Sequence, residues 1–249
     1  MTTRWERDAA PGIHRLEHAH TNLYLVETDG GLLLVDTGLP RSYGPLLDAI
    51  ADLGRTPRDL SAIVLTHGHF DHVGTARRLA SQWDLPVLAP ELDRRLVAHP
   101  YRYAHQDTRV GAPLRHPRSW PLLAGMVGAG ALTVRGVPSR LVTTLDATTP
   151  LPGGAVLVPT PGHTAGHVAL HLPDRDAVIS GDALVTLDPY TGATGPRIVA
   201  GAATADIDRT RASLGALEQT GAQVVLPGHG SPWRDGVAAA VDLARTTSG

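Results

Sequence analysis

The 249-residue chain contains no cysteine and no lysine. Without thiols it has no disulfides, no thiolate metal ligands and no cysteine nucleophile. All 22 basic side chains are Arg, and against 24 acidic ones they leave a formal net charge of −2. A protein that coats nucleic acid needs a strong basic excess, so the balance argues against that class. Long apolar runs are missing as well. The longest weakly polar stretch, Pro121 to Leu132, is too short and too rich in Gly to span a bilayer, which takes about 20 apolar residues. The opening MTTRWERDAAPG lacks the apolar core of a secretory signal. The expectation is a cytoplasmic protein with no membrane partner. At 42% hydrophobic residues the chain is far from a disordered composition, and its length suits one domain spanning 1–249.

What is present alternates between strand and helix patterns. Asn22–Glu27 and Gly31–Asp36 are apolar runs parted by Thr-Asp-Gly, which reads as a hairpin. Pro45–Leu53 fits a helix with Pro in its first turn. Ala62–Thr66 reads as a buried strand running into His67-Gly-His-Phe-Asp-His72, after which Val73, Ala76, Leu79, Ala80 and Trp83 recur at helical spacing. The cluster therefore lies at the C-terminal end of a strand, where α/β folds place their ligands. From about 90 to 149 the pattern degrades into a Pro- and Arg-rich stretch, read as an irregular, partly helical, lid-like insertion. Strand patterns resume at 155–159, 167–172, 177–180 and 224–226, with helices over about 206–218 and from Val237 onward. The expected fold class is α/β.

Four motifs at strand ends carry the chemistry: THGHFDH at 66–72, TPGHTAGH at 160–167, SGDAL at 180–184 and LPGHG at 226–230. They supply His67, His69, Asp71, His72, His163, Asp182 and His229. Imidazole nitrogens and carboxylate oxygens are what a borderline cation such as zinc takes when thiolates are unavailable. Seven such groups suffice for a two-metal site with Asp182 shared. In a chain of this composition H-x-H-x-D-H arises by chance roughly a few times per thousand sequences, and three further His or Asp motifs at strand ends lower that. Asp36-Thr-Gly38 also spells the aspartic-protease triplet, but that chemistry needs a second carboxylate triplet, which is absent.

In these residues and their order the chain resembles the metallo-β-lactamase superfamily over nearly its whole length. The resemblance implies a four-layer αββα sandwich. It also implies one metal on His67, His69 and His163, a second on Asp71, His72 and His229, and Asp182 between them, with Asp36 supporting a ligand from behind. The implied cofactor is two Zn²⁺, with iron or manganese as alternatives. The implied reaction is attack by a metal-bridging hydroxide on an ester, lactone or thioester, with Asp71 and Asp182 as the catalytic carboxylates and a small molecule as substrate. Asp182 distinguishes the chain from class B β-lactamases, which have Cys or Ser there, and makes it similar to the glyoxalase II and lactonase branch. Only 20 residues follow His229, leaving no counterpart of the C-terminal domain of glyoxalase II. The Tyr that acyl-homoserine lactonases carry three residues after the shared Asp is Val185 here, and Tyr190 is the candidate to replace it. His20 and His167, close to the motifs, are further candidates for touching substrate. Alternative readings are a phosphodiesterase and a mononuclear-iron persulfide dioxygenase of the same superfamily.

Overall fold

The computed structural model describes residues 2–108, 111–146 and 148–247. In chain order the elements are β1 (Thr3–Ala10), β2 (Ile13–His18), β3 (Thr21–Thr28), β4 (Gly31–Val35), α1 (Tyr43–Asp52), β5 (Leu60–Val64), α2 (Ala76–Trp83), β6 (Val87–Pro90), α3 (Arg94–Ala98), α4 (Gly111–Arg115), α5 (Trp120–Gly128), β7 (Val142–Leu145), β8 (Val156–Pro159), β9 (Val168–Leu172), β10 (Ala177–Gly181), β11 (Val185–Leu187), β12 (Thr194–Arg197), α6 (Ile207–Glu218), β13 (Val224–Pro227) and α7 (Val237–Thr246). They form two compact units, Met1–Arg102 with Gly125–Gly153 and Tyr103–Ala124 with Gly154–Gly249.

The first unit is built on a seven-stranded sheet in the order β1-β2-β3-β4-β5-β6-β7. Strands β1 to β4 pair antiparallel, and β4 to β7 pair parallel. Every residue of β4 is buried, as is β3 up to Val26, so these strands are covered on both faces, and Leu23–Val26 and Leu32–Val35 read as continuous apolar runs. The β2–β3 hairpin turns through Ala19 and His20, whose φ angles of 50° and 68° are those of a tight two-residue turn. The stretch at 90–149 is partly helical, as expected, and carries α3, α4 and α5; it also contributes β7, which extends the sheet beside β6. Arg109, one of the arginines of that stretch, lies outside the described residues.

The second unit carries a four-stranded sheet, β13-β10-β9-β8, and the two-stranded β11-β12 ribbon. Strand β10 pairs parallel with β13 and antiparallel with β9. Helices α6 and α7 bury Leu214, Leu217, Val237 and Val241 against Val178 and Val225 of the sheet. Removing four such side chains from water stabilises the unit by about 1.5–3 kcal/mol each. The side chain of Asp206 caps α6 by accepting from Arg209 N at 2.8 Å. Among the described residues no helix is long and apolar enough to cross a membrane.

Candidate metal centre

In each unit two neighbouring parallel strands end side by side, and the chain that leaves them delivers the metal-binding residue types. In the first unit these strands are β4 and β5. Asp36 follows β4 directly, and Thr66-His67 follow β5. The two strand ends are joined by Asp36 N donating to Val64 O at 2.9 Å. Asp36 is 2% exposed. Its Oδ1 accepts from Thr66 N at 2.9 Å, and its Oδ2 from the Thr66 hydroxyl at 2.8 Å and from His72 Nδ1 at 2.8 Å.

This arrangement fixes the state of two imidazoles. The single proton of Thr66 Oγ1 goes to Asp36, so the contact of 3.0 Å between Thr66 Oγ1 and His67 Nδ1 must be donated by the ring. His67 and His72 thus both carry the proton on Nδ1 and present the lone pair of Nε2, the tautomer that coordination through Nε2 needs. The ring of His67 packs 4.7 Å from His69 and 4.2 Å from His72, centroid to centroid. Asp71 brings a carboxylate oxygen to 3.9 Å from His72 Nε2. His67, His69, Asp71 and His72 are all buried. The turn is pinned by His72 N donating to His69 O, by Thr37 N and Oγ1 both donating to His72 O, and by Gly68 N donating to Asp93 Oδ2 at 3.0 Å. Gly68 is obligatory here, since a Cβ would lie 2.8 Å from Leu96 Cγ and from Val97 N.

The second unit repeats the device with β10 and β13. Asp182 follows β10, His229 lies two residues beyond β13, and Gly228 N donates to Gly181 O at 2.8 Å. The loop between β8 and β9 brings in His163. Asp182 Oδ2 lies 3.5 Å from His163 Nε2 and 3.3 Å from His229 Nε2. Thr204 Oγ1 donates to Val199 O at 2.7 Å, so it accepts from His163 Nδ1 at 3.1 Å. His163 therefore turns Nε2 toward a carboxylate oxygen. Two acceptors at that distance repel unless a cation, either a proton or a metal ion, lies between them.

Of the residues singled out as possible substrate contacts, His167 is buried and committed to the scaffold. Its Nε2 accepts the backbone N–H of Asp182 at 3.0 Å, and its Nδ1–H faces Thr160 Oγ1 at 2.8 Å. It holds Asp182 in place. His20 sits in the β2–β3 turn, 22% exposed, with Nδ1 3.8 Å from Glu17. Tyr190 packs against Ala112, Ala200 and Ala202 in the second unit. Its backbone N donates to Asp188, whose carboxylate also accepts from Thr191 Oγ1 and Ala200 N. Burial pushes the Asp188 carboxyl above its ordinary range, opposed by those three hydrogen bonds. Asp188, Asp93, Thr66 and Thr204 are positions that pattern reading misses. Thr66 alone had a signal, standing beside the first His.

The profile of the metallo-beta-lactamase superfamily matches residues 18–229. Among curated proteins the chain is 28% identical over 186 residues to the probable metallo-hydrolase YflN of Bacillus subtilis, covering 73% of this chain and 67% of YflN. It is 31% identical over 173 residues to the probable metallo-hydrolase YqgX of the same organism, covering 66% of this chain and 65% of YqgX. The chain thus spans about two thirds of the length of each. Among solved structures, TTHA1623 in a di-iron-bound form superposes with a TM-score of 0.60 at 32% identity, covering 88% of this chain and 92% of that one. The fold and the His/Asp clusters at its strand ends are those of a metal-dependent class, and the chain belongs to the metallo-β-lactamase superfamily.

Proposed function

We propose that the chain is a binuclear metal-dependent hydrolase of a small-molecule ester, lactone or thioester, acting in the cytoplasm. His67, His69 and His163 would hold one divalent ion and Asp71, His72 and His229 the other, with Asp182 shared. Zinc suits this nitrogen- and oxygen-only donor set, and the di-iron form of TTHA1623 keeps iron as the alternative. When bound, such a pair supplies an activated water and polarises a carbonyl.

One observation carries the reading. Three imidazoles, on His67, His72 and His163, are locked by Thr66, Asp36 and Thr204 with the proton on Nδ1, so that each presents the lone pair of Nε2 among the buried His and Asp side chains of its own unit. A fold that sought only packing would gain nothing from this. The remaining work falls to the chain itself. Asp36 holds the His72 ring at a fixed angle, His167 holds the backbone of Asp182, and Asp71 orients the attacking water and takes its proton. No side-chain nucleophile is needed, in keeping with the absence of cysteine.

The test is turnover of a thioester, a lactone and a phosphodiester by the purified protein and by Asp182→Asn. The reading expects one carbonyl substrate to turn over and the variant to lose nearly all of that activity. Turnover of the phosphodiester alone would contradict it.

A further inference from the structure

A cavity of about 530 Å³ opens on the second unit between the turn at 115–118 and the loop that joins β11 to β12. Three arginines, Arg115, Arg118 and Arg197, line it together with His116, Thr191 and Gly192, and among the described residues no carboxylate does. Asp188, the acid of the same loop, is 2% exposed and turned to Tyr190 N, Thr191 Oγ1 and Ala200 N. Among the described residues neither Arg115 nor Arg118 makes an ion pair. Like charges gathered around one concavity repel each other, and an anion placed among them relieves that repulsion.

The arrangement is also held in place. Arg197 is half-buried, and its guanidinium donates from Nε to Gly195 O at 3.0 Å and from Nη2 to Thr194 O, which leaves the other edge of the fork for a ligand. The loop rests directly on the turn. Gly192, at φ +70°, lies where a Cβ would meet Arg118 Cβ at 2.8 Å and Arg118 C at 2.9 Å, so no larger residue fits. A planar fork of donors matches the paired oxygens of phosphate or carboxylate, which a lysine would not do.

We propose that this cavity binds an oxyanion, a phosphate or carboxylate group on a small molecule. Resting on the hydrolase reading above, we assign it to a charged tail of the substrate. Strand β11, Val185–Leu187, runs from the segment that follows Asp182 to the loop that walls the cavity. Tyr190, in the same loop, packs on Ala112 and Ala200 and braces the loop from beneath.

The experiment is equilibrium binding of pyrophosphate and of tricarballylate to the metal-loaded protein at low and high salt. Wild type is compared with Arg115→Ala/Arg118→Ala and with Arg211→Ala, a half-buried arginine outside the cavity. Both replaced arginines are exposed, and alanine keeps the Arg118 backbone and Cβ on which Gly192 packs, so the double variant should fold. The expected result is salt-sensitive binding that weakens about tenfold in the double variant and is unchanged in Arg211→Ala. Loss confined to pyrophosphate identifies a phosphate ligand, and loss confined to tricarballylate a carboxylate. Affinity for both probes within twofold of wild type in the double variant would overturn the site. Because anions also reach metal ions, Asp182→Asn is measured alongside. Arginine-dependent binding that persists in Asp182→Asn and in a wild type that turns over no ester leaves the site standing while removing the hydrolase reading.

Discussion

Asp36→Asn is the perturbation that reaches furthest through the proposed centre, although Asp36 is not among the residues that would touch metal. Its Oδ2 accepts from Thr66 Oγ1 and His72 Nδ1, both at 2.8 Å, and its Oδ1 from Thr66 N at 2.9 Å. An amide has one acceptor atom where the carboxylate has two. If its NH₂ takes the Oδ2 position, it faces the hydroxyl proton of Thr66 and the Nδ1–H of His72. His72 must then move its proton to Nε2, and Thr66 must turn its proton toward His67. If the NH₂ takes the Oδ1 position, the buried N–H of Thr66 loses its acceptor, and His72 leans on a neutral partner. Each charge-assisted hydrogen bond lost is worth about 1.5–3 kcal/mol. One such loss corresponds to roughly 10- to 100-fold in metal affinity, the range typical when the partner of a ligating His is removed. The assay is metal binding in competition with a chromogenic chelator, on wild type and on a variant whose circular dichroism shows it folded. Thr66→Val acts on the same network, so the double variant should cost less than the sum of the two singles. Affinity within twofold of wild type in Asp36→Asn would refute the argument that tautomer locking sets the centre.

Three further outcomes follow from the same geometry. His167→Phe removes the acceptor of the buried Asp182 N–H, and should lower kcat at least about tenfold with little change in KM, in line with the cost of an unsatisfied buried donor; His167→Gln should restore part of it. Arg15 is buried, donates to Glu6, Glu17 and Asn22, and its replacement by Met strands the buried Glu17, so chemical denaturation should show about 3–5 kcal/mol of lost stability. Burial holds the His18 imidazole below its ordinary pKa of 6.5; the fold favours its neutral form, so its contribution is fully present above pH 6.5 and is lost as pH falls through the lowered value. The melting temperature of wild type should therefore drop relative to His18→Gln between pH 7 and pH 5, and a constant difference would contradict the sign.

Much of the fold was legible because its central strands are covered on both faces. The runs Leu23–Val26 in β3, Leu32–Val35 in β4, Ala62–Val64 in β5 and Ala177–Ile179 in β10 are apolar, and the helical spacing of α2 and α7 is unbroken. Strands β1 and β2 were not legible. Strand β1 is an edge strand with exposed polar residues, and β2 buries His14, Arg15, Glu17 and His18, types that pattern reading assigns to the surface. They are tolerated inside because they answer one another: Arg15 with Glu6 and Glu17, and His14 with Glu27. Strand β7 is only four residues long and has two threonines, and it is a strand by virtue of lying beside β6.

The candidate site follows the same division. His and Asp flanked by Gly at strand ends are rare enough to stand out, and the structure brings His67, His69, Asp71 and His72 together in one unit and His163, Asp182 and His229 together in the other. Thr204 and Asp93 are unremarkable in the sequence. Thr204 matters because it meets a residue 41 positions away, and Asp93 because it meets a backbone N–H 25 positions away. Such roles depend on tertiary contact, which periodicity does not carry. His167 was visible as a motif residue, but its role was not, because a ring that holds a backbone and a ring that meets substrate look alike in sequence.

The central claim is that seven His and Asp side chains hold two metal ions, and the most direct measurement is metal content per chain. Protein purified without added metal, together with Asp182→Asn and His69→Ala, would be analysed by inductively coupled plasma mass spectrometry. The account predicts about two equivalents of zinc or iron in wild type and a loss of at least one in each variant. A wild type that holds no metal after loading, or variants that bind as much as wild type, would contradict it.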